Sequence, residues 1–209
     1  LAIDVNGADD GEKIIIRGCN IISKQIKANF IFVGNKSKIL PIINNCEYLV
    51  GSKIIDTPFY IKANEKGSEA LRTGKKSSMR IAIDLVKEGK ANAIISAGNT
   101  GALLSISYIV LRTISGISRP AMTAYFPTKK GETAMLDLGA NIECDSKNLI
   151  DFAIMGSAFS RIVLKSKNPS IGLLNVGEEA QKGNTVLQEA SIHLLNENNS
   201  INYFGFVEG

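Results

Sequence analysis

Short apolar runs and helix-length segments take turns along nearly the whole chain, and few architectures accept that order. Strands are expected over residues 1–5, 30–33, 48–50, 53–55, 93–95, 122–126, 134–138, 171–174 and 203–207. Helices are expected over 14–26, 36–44, 100–113, 149–165 and 185–195, although Pro41 is awkward inside the second. The clearest local signal is a helix opened by Ser77 or Ser78, carrying Ile81, Ala82, Leu85 and Val86 on one face and ending before Gly89. Residues 57–76 are polar and charged and are expected to leave the sheet. A strand that pairs in parallel with the next needs a long crossover, usually a helix, so this order predicts helices on both faces of a mostly parallel sheet. A chain of 209 residues with 44% hydrophobic content is long enough for one packed α/β domain, expected over 1–209.

Composition excludes several classes of function. The longest apolar stretch, 102–111, carries Ser105 and Ser107 and is about half the length of a bilayer span, so it reads as a core helix. The first residues enter a strand with no cationic leader or cleavage site, which gives a cytoplasmic expectation. Cys19, Cys46 and Cys144 are widely spaced and odd in number, so they read as buried free thiols, not as a disulfide frame or zinc site. His193 is the single histidine, which rules out histidine-cluster metal sites and weakens any Ser-His-Asp scheme. A net charge of +4 is spread over many segments, which favours an acidic protein partner as well as it favours nucleic acid.

Ligands of open parallel sheets bind beyond the carboxyl ends of strands, where helix N-termini offer unpaired N–H groups. Three segments have that form. Ser96-Ala97-Gly98-Asn99-Thr100-Gly101 follows Ile94-Ile95 directly and opens an apolar helix; its glycines allow close backbone approach, and Ser96, Asn99 and Thr100 supply hydrogen-bonding groups. The same pattern also describes a capped strand-to-helix turn, and it lacks the lysine of nucleotide loops and the dinucleotide glycine spacing. The second is Asp137-Leu138-Gly139-Ala140-Asn141. The third runs from Asn175 to Asn184, and Lys182 is its one cation.

Taken together with Ser77-Ser78-Met79, Arg119-Pro120, Ile154-Met155-Gly156-Ser157 and Gly172-Leu173-Leu174-Asn175-Val176-Gly177, these loops resemble, in order and spacing, the bacterial phosphate acyltransferase family along almost the entire chain. The resemblance implies a Rossmann-like three-layer sandwich similar to phosphotransacetylases and to the isocitrate and isopropylmalate dehydrogenases. It implies attack of inorganic phosphate on the thioester of an acyl-carrier protein, giving acyl-phosphate for phospholipid synthesis with no cofactor, no metal and no nucleic acid partner. Lys182 and Asn141 would then be catalytic, and Ser96, Gly98, Asn99, Thr100, Gly101, Asp4 and Gly7 would bind substrate. Arg72, Lys75 and Lys76 are candidate docking residues for the acidic carrier. A homodimer, and peripheral membrane association beside a glycerol-3-phosphate acyltransferase, are also implied.

The chain departs from the family pattern in two places. Asp4-Val5-Asn6-Gly7-Ala8-Asp9 has Ala8 where the family has glycine, which would strain the loop if that residue needs a positive φ. Phe206-Val207-Glu208-Gly209 matches a point well inside family members, so a front portion of the fold is expected. The alternatives are a non-catalytic remnant, a carrier-protein-binding module, or a nicotinamide-binding relative.

Overall fold

The computed structural model of the protein describes residues 1–7, 11–129, 131–179, 181–196 and 201–209. The chain divides into two compact units, Leu1–Arg112 and Thr113–Gly209.

The first unit contains strands β1 (Ala2–Asp4), β2 (Ile31–Gly34), β3 (Lys53–Asp56) and β4 (Ile94–Ser96), all parallel in the order β3-β2-β1-β4. Its helices are α1 (Glu12–Ile22), α2 (Lys36–Asn44), α3 (Gly67–Thr73), α4 (Ser78–Lys87) and α5 (Thr100–Leu111). Alternation along β1 sends its residues to opposite faces. Ile3 and Val5 join Phe32 against Ile16 and Cys19 of α1 and Ile39 and Ile43 of α2. Ala2, with Val33, turns to Ala82 and Leu85 of α4. Ala70 of α3 and Ala102 and Ile106 of α5 then pack with Ile83 of α4. Each large aliphatic or aromatic side chain fully buried in this way stabilises by about 1.5–3 kcal/mol. The expectation of an α/β architecture with a mostly parallel sheet holds.

Several boundaries differ for local reasons. Residues 48–50 form a turn, not a strand: Leu49 N bonds Cys46 O and Ser52 N bonds Leu49 O, and only the Leu49 side chain faces inward. α1 ends at Ile22, where Ser23 Oγ competes for Cys19 O and Lys24 N tightens onto Ile21 O. α2 keeps Pro41 inside; the helix is short, is capped by the Asn35 side chain, and loses a single backbone bond to the ring. β4 is the edge strand of this sheet among the described residues, so Ile95, apolar in sequence, is 49% exposed.

The second unit contains β5 (Ala124–Thr128), β6 (Gly131–Met135), α6 (Ser146–Ile162), β7 (Ser170–Asn175), α7 (Thr185–Asn196) and β8 (Asn202–Glu208). β5 and β6 form an antiparallel hairpin displaced by two or three residues from the expected runs at 122–126 and 134–138. The pairing starts at the turn itself, with Thr128 opposite Gly131, so the polar residues near the turn enter the strands and Leu136 to Leu138 leave them. α6 begins three residues before its apolar periodicity because Asp145 and Asn148 cap each other's backbone. β7 and β8 pair in parallel, and Leu173 and Phe206 pack against Ala153 of α6 and Ala190 and Leu194 of α7.

Candidate functional site

In the first unit four of the expected residues meet where β1 and β4 end. Asp4 is 1% exposed, and its Oδ2 accepts from Ser96 Oγ at 2.7 Å. Ser96 Oγ in turn accepts from Gly98 N at 3.1 Å. Gly7 and Gly98 cross backbone to backbone: a Cβ on Gly7 would lie 3.1 Å from Gly98 Cα, and one on Gly98 would lie 3.2 Å from Gly7 O. Glycine is therefore needed at this crossing for space. Asp4 Oδ1 and the buried Ser78 Oγ make no hydrogen bond. Burial pushes the Asp4 carboxyl above its ordinary value; the nearby Ser78 and Ser96 hydroxyls and the Asn6 N–H offset this only in part. Asp4 is a strut that holds Ser96, and the loop it supports is what faces outward.

Asn99 is likewise engaged by the protein. Its Oδ1 caps α5 through Ala102 N at 2.9 Å, and its Nδ2 donates to the carbonyls of Lys62, Ala63 and Glu65, tying the 57–66 excursion to the loop. The exposed Thr100 and Gly101 open the helix, and their N–H groups have no acceptor within it. Asp9 and Ala8 lie outside the described residues. Arg72, Lys75 and Lys76 are exposed at the end of α3 and in the 3-10 turn that follows it.

In the second unit Asn141 sits in a clamp. Asp137 Oδ1 accepts from Met122 N at 2.7 Å, and Asp137 Oδ2 accepts from Asn141 N at 2.7 Å and from Asn141 Nδ2 at 3.0 Å. Asn141 Nδ2 also donates to Pro120 O at 2.9 Å. Burial works to raise the Asp137 carboxyl, but the N–H groups of Met122, Asn141 and Ala140 and the Asn141 amide outweigh it and hold it below the usual value. A second clamp lies close by in sequence. Asp151 Oδ2 accepts from Ser118 N and Oγ at 2.8 and 2.6 Å, while Lys147 Nζ reaches Asp151 Oδ1 at 2.9 Å. Here too burial raises the carboxyl, and the Ser118 bonds with Lys147 bring it below its ordinary value.

Lys182 is exposed in the turn after β7, with its stem alongside Gly177. Beneath this turn Asn175 is buried, its Oδ1 taken by Val176 N at 2.8 Å. Two cavities flank the end of β7. One, of about 770 Å³, is lined by Leu174, Asn175, Val176, Gly183, Asn184, Leu187 and Gly209. The other, of about 640 Å³, has Leu136, Phe152, Gly156, Leu173, Leu174 and Leu187 in its walls together with polar residues such as Glu132 and Ser160. Leu174 and Leu187 are common to both linings. Asn141 lines neither cavity.

Sequence reading passed over Asn175 as a possible ligand, because a strand-terminal asparagine has no local signature. It also passed over Gly183, whose φ of +86° is visible only in the structure. Cys19 and Cys46 are buried as expected and Cys144 is half-buried; burial, with Cys46 nearby, pushes the Cys19 thiol up to about 11. His193 is exposed. Among the described residues no cluster of His, Cys, Asp and Glu could hold a metal, and no helix is long and apolar enough to cross a membrane.

These loops at strand ends, on a mostly parallel sheet, define an α/β protein of the phosphotransacylase fold. The chain superposes on the EutD phosphotransacetylase from Staphylococcus aureus with a TM-score of 0.69 at 17% identity, covering 100% of this chain and 66% of that one. A branched-chain phosphotransacylase from Enterococcus faecalis matches with a TM-score of 0.57 at 16% identity, over 99% and 67%. At such identities the likeness is one of fold. The chain belongs to the family described as "Fatty acid synthesis protein", whose model matches residues 1–209. Relatives named "Phosphate acyltransferase" are 44% identical over 211 residues in Rhodospirillum centenum and 45% identical over 214 in Coxiella burnetii, each covering 100% of this chain. The chain spans 59% and 62% of those two relatives' length.

Proposed function

We propose that the chain serves transfer of an acyl group from acyl-[acyl-carrier-protein] to inorganic phosphate, forming acyl-phosphate for phospholipid synthesis. The observation that carries this reading is the identity of 44–45% across the whole chain with proteins named "Phosphate acyltransferase". The geometry supports it: a cavity with several leucines in its walls, able to take an acyl tail, shares Leu174 and Leu187 with a second cavity at a helix N-terminus.

The chemistry asks for no enzyme nucleophile. Phosphate is anionic at neutral pH, and a thiol of pKa about 8.5 leaves readily, so the protein has to align the reactants and stabilise the oxyanion that forms at the thioester carbon. In this reading Lys182 faces the developing negative charge. Thr100, with the N–H groups of Thr100 and Gly101, contacts substrate, while Asp4, Ser96, Gly7, Gly98 and Asn99 shape the loop that presents them. Asn141, whose amide is engaged by Asp137 and Pro120, positions its turn. Arg72, Lys75 and Lys76 meet the acidic carrier protein, and the full-length protein acts as a homodimer in the cytoplasm and at the membrane periphery.

Thiol release from acyl-carrier protein, measured with and without inorganic phosphate, tests the reading. Phosphate-dependent release that falls by about 10²–10³-fold in Lys182→Ala is expected. Release that ignores phosphate would end the transfer reading, and carrier binding without any release by the folded chain would favour a binding module.

A further inference from the structure

We propose that Asn175 and the opening turn of α7 form a binding site for a tetrahedral, phosphate-type oxyanion; that the anion is the reacting phosphate rests on the transfer reading above. β7 ends at Asn175, which is 8% exposed. Its Oδ1 accepts from Val176 N at 2.8 Å, which fixes which end of the carboxamide is the amide. Nδ2, carrying two N–H donors, is buried and makes no hydrogen bond. A buried donor left in this state is costly, and its chemical complement is an oxygen acceptor.

The carboxamide lies directly under Gly183: a Cβ there would stand 2.6 Å from Oδ1 and 3.1 Å from Nδ2. Gly183 and Asn184 lead into α7 and line the same 770 Å³ cavity as Asn175. Asn184 Oδ1 takes Leu187 N at 3.0 Å and Asn184 O takes Gln188 N at 3.1 Å. The N–H groups of Thr185 and Val186 thus have no acceptor within the helix, and they sit at its positive end.

The chemistry of this set is that of donors. Both carboxamide oxygens at the site, Asn175 Oδ1 and Asn184 Oδ1, are already occupied, which leaves the Asn175 amide as the buried group seeking a partner. An anion finds an amide, a helix N-terminus and, one residue before Gly183, the cation Lys182. Glu178 and Glu179 are exposed in the same turn and oppose an anion; they set the contribution that the donors must exceed.

The test follows the Asn175 side-chain NH₂ resonances of the ¹⁵N-labelled chain during titration with inorganic phosphate at constant ionic strength, alongside the thiol-release assay. Saturable shifts of Asn175 Nδ2 and of the Thr185 and Val186 amides are expected, with affinity at least about tenfold weaker in Asn175→Asp, which replaces a donor by a like charge. Gly183→Ala, whose Cβ displaces the carboxamide, is expected to weaken phosphate in the same way and guards against misfolding of Asn175→Asp. If phosphate moves the helix amides but not the Asn175 NH₂, or no resonance of this turn at all, the proposal is overturned. Undiminished phosphate affinity in a folded Asn175→Asp, with phosphate-dependent release intact, overturns it while leaving the transfer reading standing. Loss of affinity in the variant without any release by the wild-type chain supports the anion site and removes the transfer reading.

Discussion

Asp4 carries a fully buried carboxyl that bonds Ser96 on one oxygen and nothing on the other, and its response to pH runs opposite to that of Asp137 and Asp151. Burial raises its folded pKa above the ordinary 3.8, so the folded chain holds more protons than the unfolded one between those two values. Stability from this group therefore falls as pH rises from about 3.8 through the folded value, and above it the buried charge is a standing cost. Asp4→Asn removes that charge and keeps an acceptor for Ser96. Its urea midpoint at pH 7 is expected at or above that of the wild type, the difference closing toward pH 4; a midpoint lower at pH 7 and equal at pH 4 would contradict the assignment. Asp4→Leu leaves the Ser96 hydroxyl without its acceptor and should lose about 1–3 kcal/mol. For Asp137 and Asp151 the folded pKa is depressed, so their stabilisation is present above the unfolded value and is lost as pH falls through the folded one.

Among the elements, the start of α6 shows how a helix terminus can be held by more than its cap. Asp151 fastens Ser118 by two bonds, and Asn148 Nδ2 donates to the same hydroxyl. Asp151→Ala should cost about 2–3 kcal/mol by stranding these groups, and the variant's unfolding free energy should lose part of the wild type's decline in acid; an unchanged denaturation midpoint would show the clamp to be idle. Further along α6, Gly156 forms part of the wall of the 640 Å³ cavity, where a Cβ would stand 3.2 Å from Leu136 Cδ1. Under the transfer reading, Gly156→Leu should shift the acyl preference toward shorter chains by about tenfold or more in relative kcat/KM, roughly the worth of one methylene contact; an unchanged profile would place the tail elsewhere. Caps of this kind were legible from short polar residues before apolar runs, as at Ser77, whose Oγ accepts from Arg80 N at 3.2 Å. The hairpin β5-β6 was misplaced because its apolar residues continue past the pairing into Leu136 and Leu138, so hydrophobicity marked the bend along with the strands.

For the whole molecule, charge is the property that reaches beyond any one element. Arg72, Lys75 and Lys76 together supply three of the 24 basic residues, all exposed within one short segment. Replacing all three with glutamine should weaken binding of an acidic carrier protein and flatten its salt dependence, read by titration at two ionic strengths; an unchanged salt slope would place docking elsewhere. Local patterning determined much of this protein from sequence: period-two and helical spacing, with capping residues and glycines between, named all eight strands and six of the seven helices among the described residues to within a few residues, because those signals act between near neighbours. The strand-end loops were legible for the same reason. What only the tertiary structure decided is which polar side chains are spent inside the fold. Asn99, Asn141 and Asp4 look like ligands in sequence, yet their hydrogen bonds go to carbonyls, amides and hydroxyls up to 92 residues away. Asn175, which the sequence marks only as the start of a candidate loop, is left with a buried Nδ2 donor that has no partner. Satisfaction of a polar group depends on atoms brought together by distant segments, and that is settled only when the chain has packed.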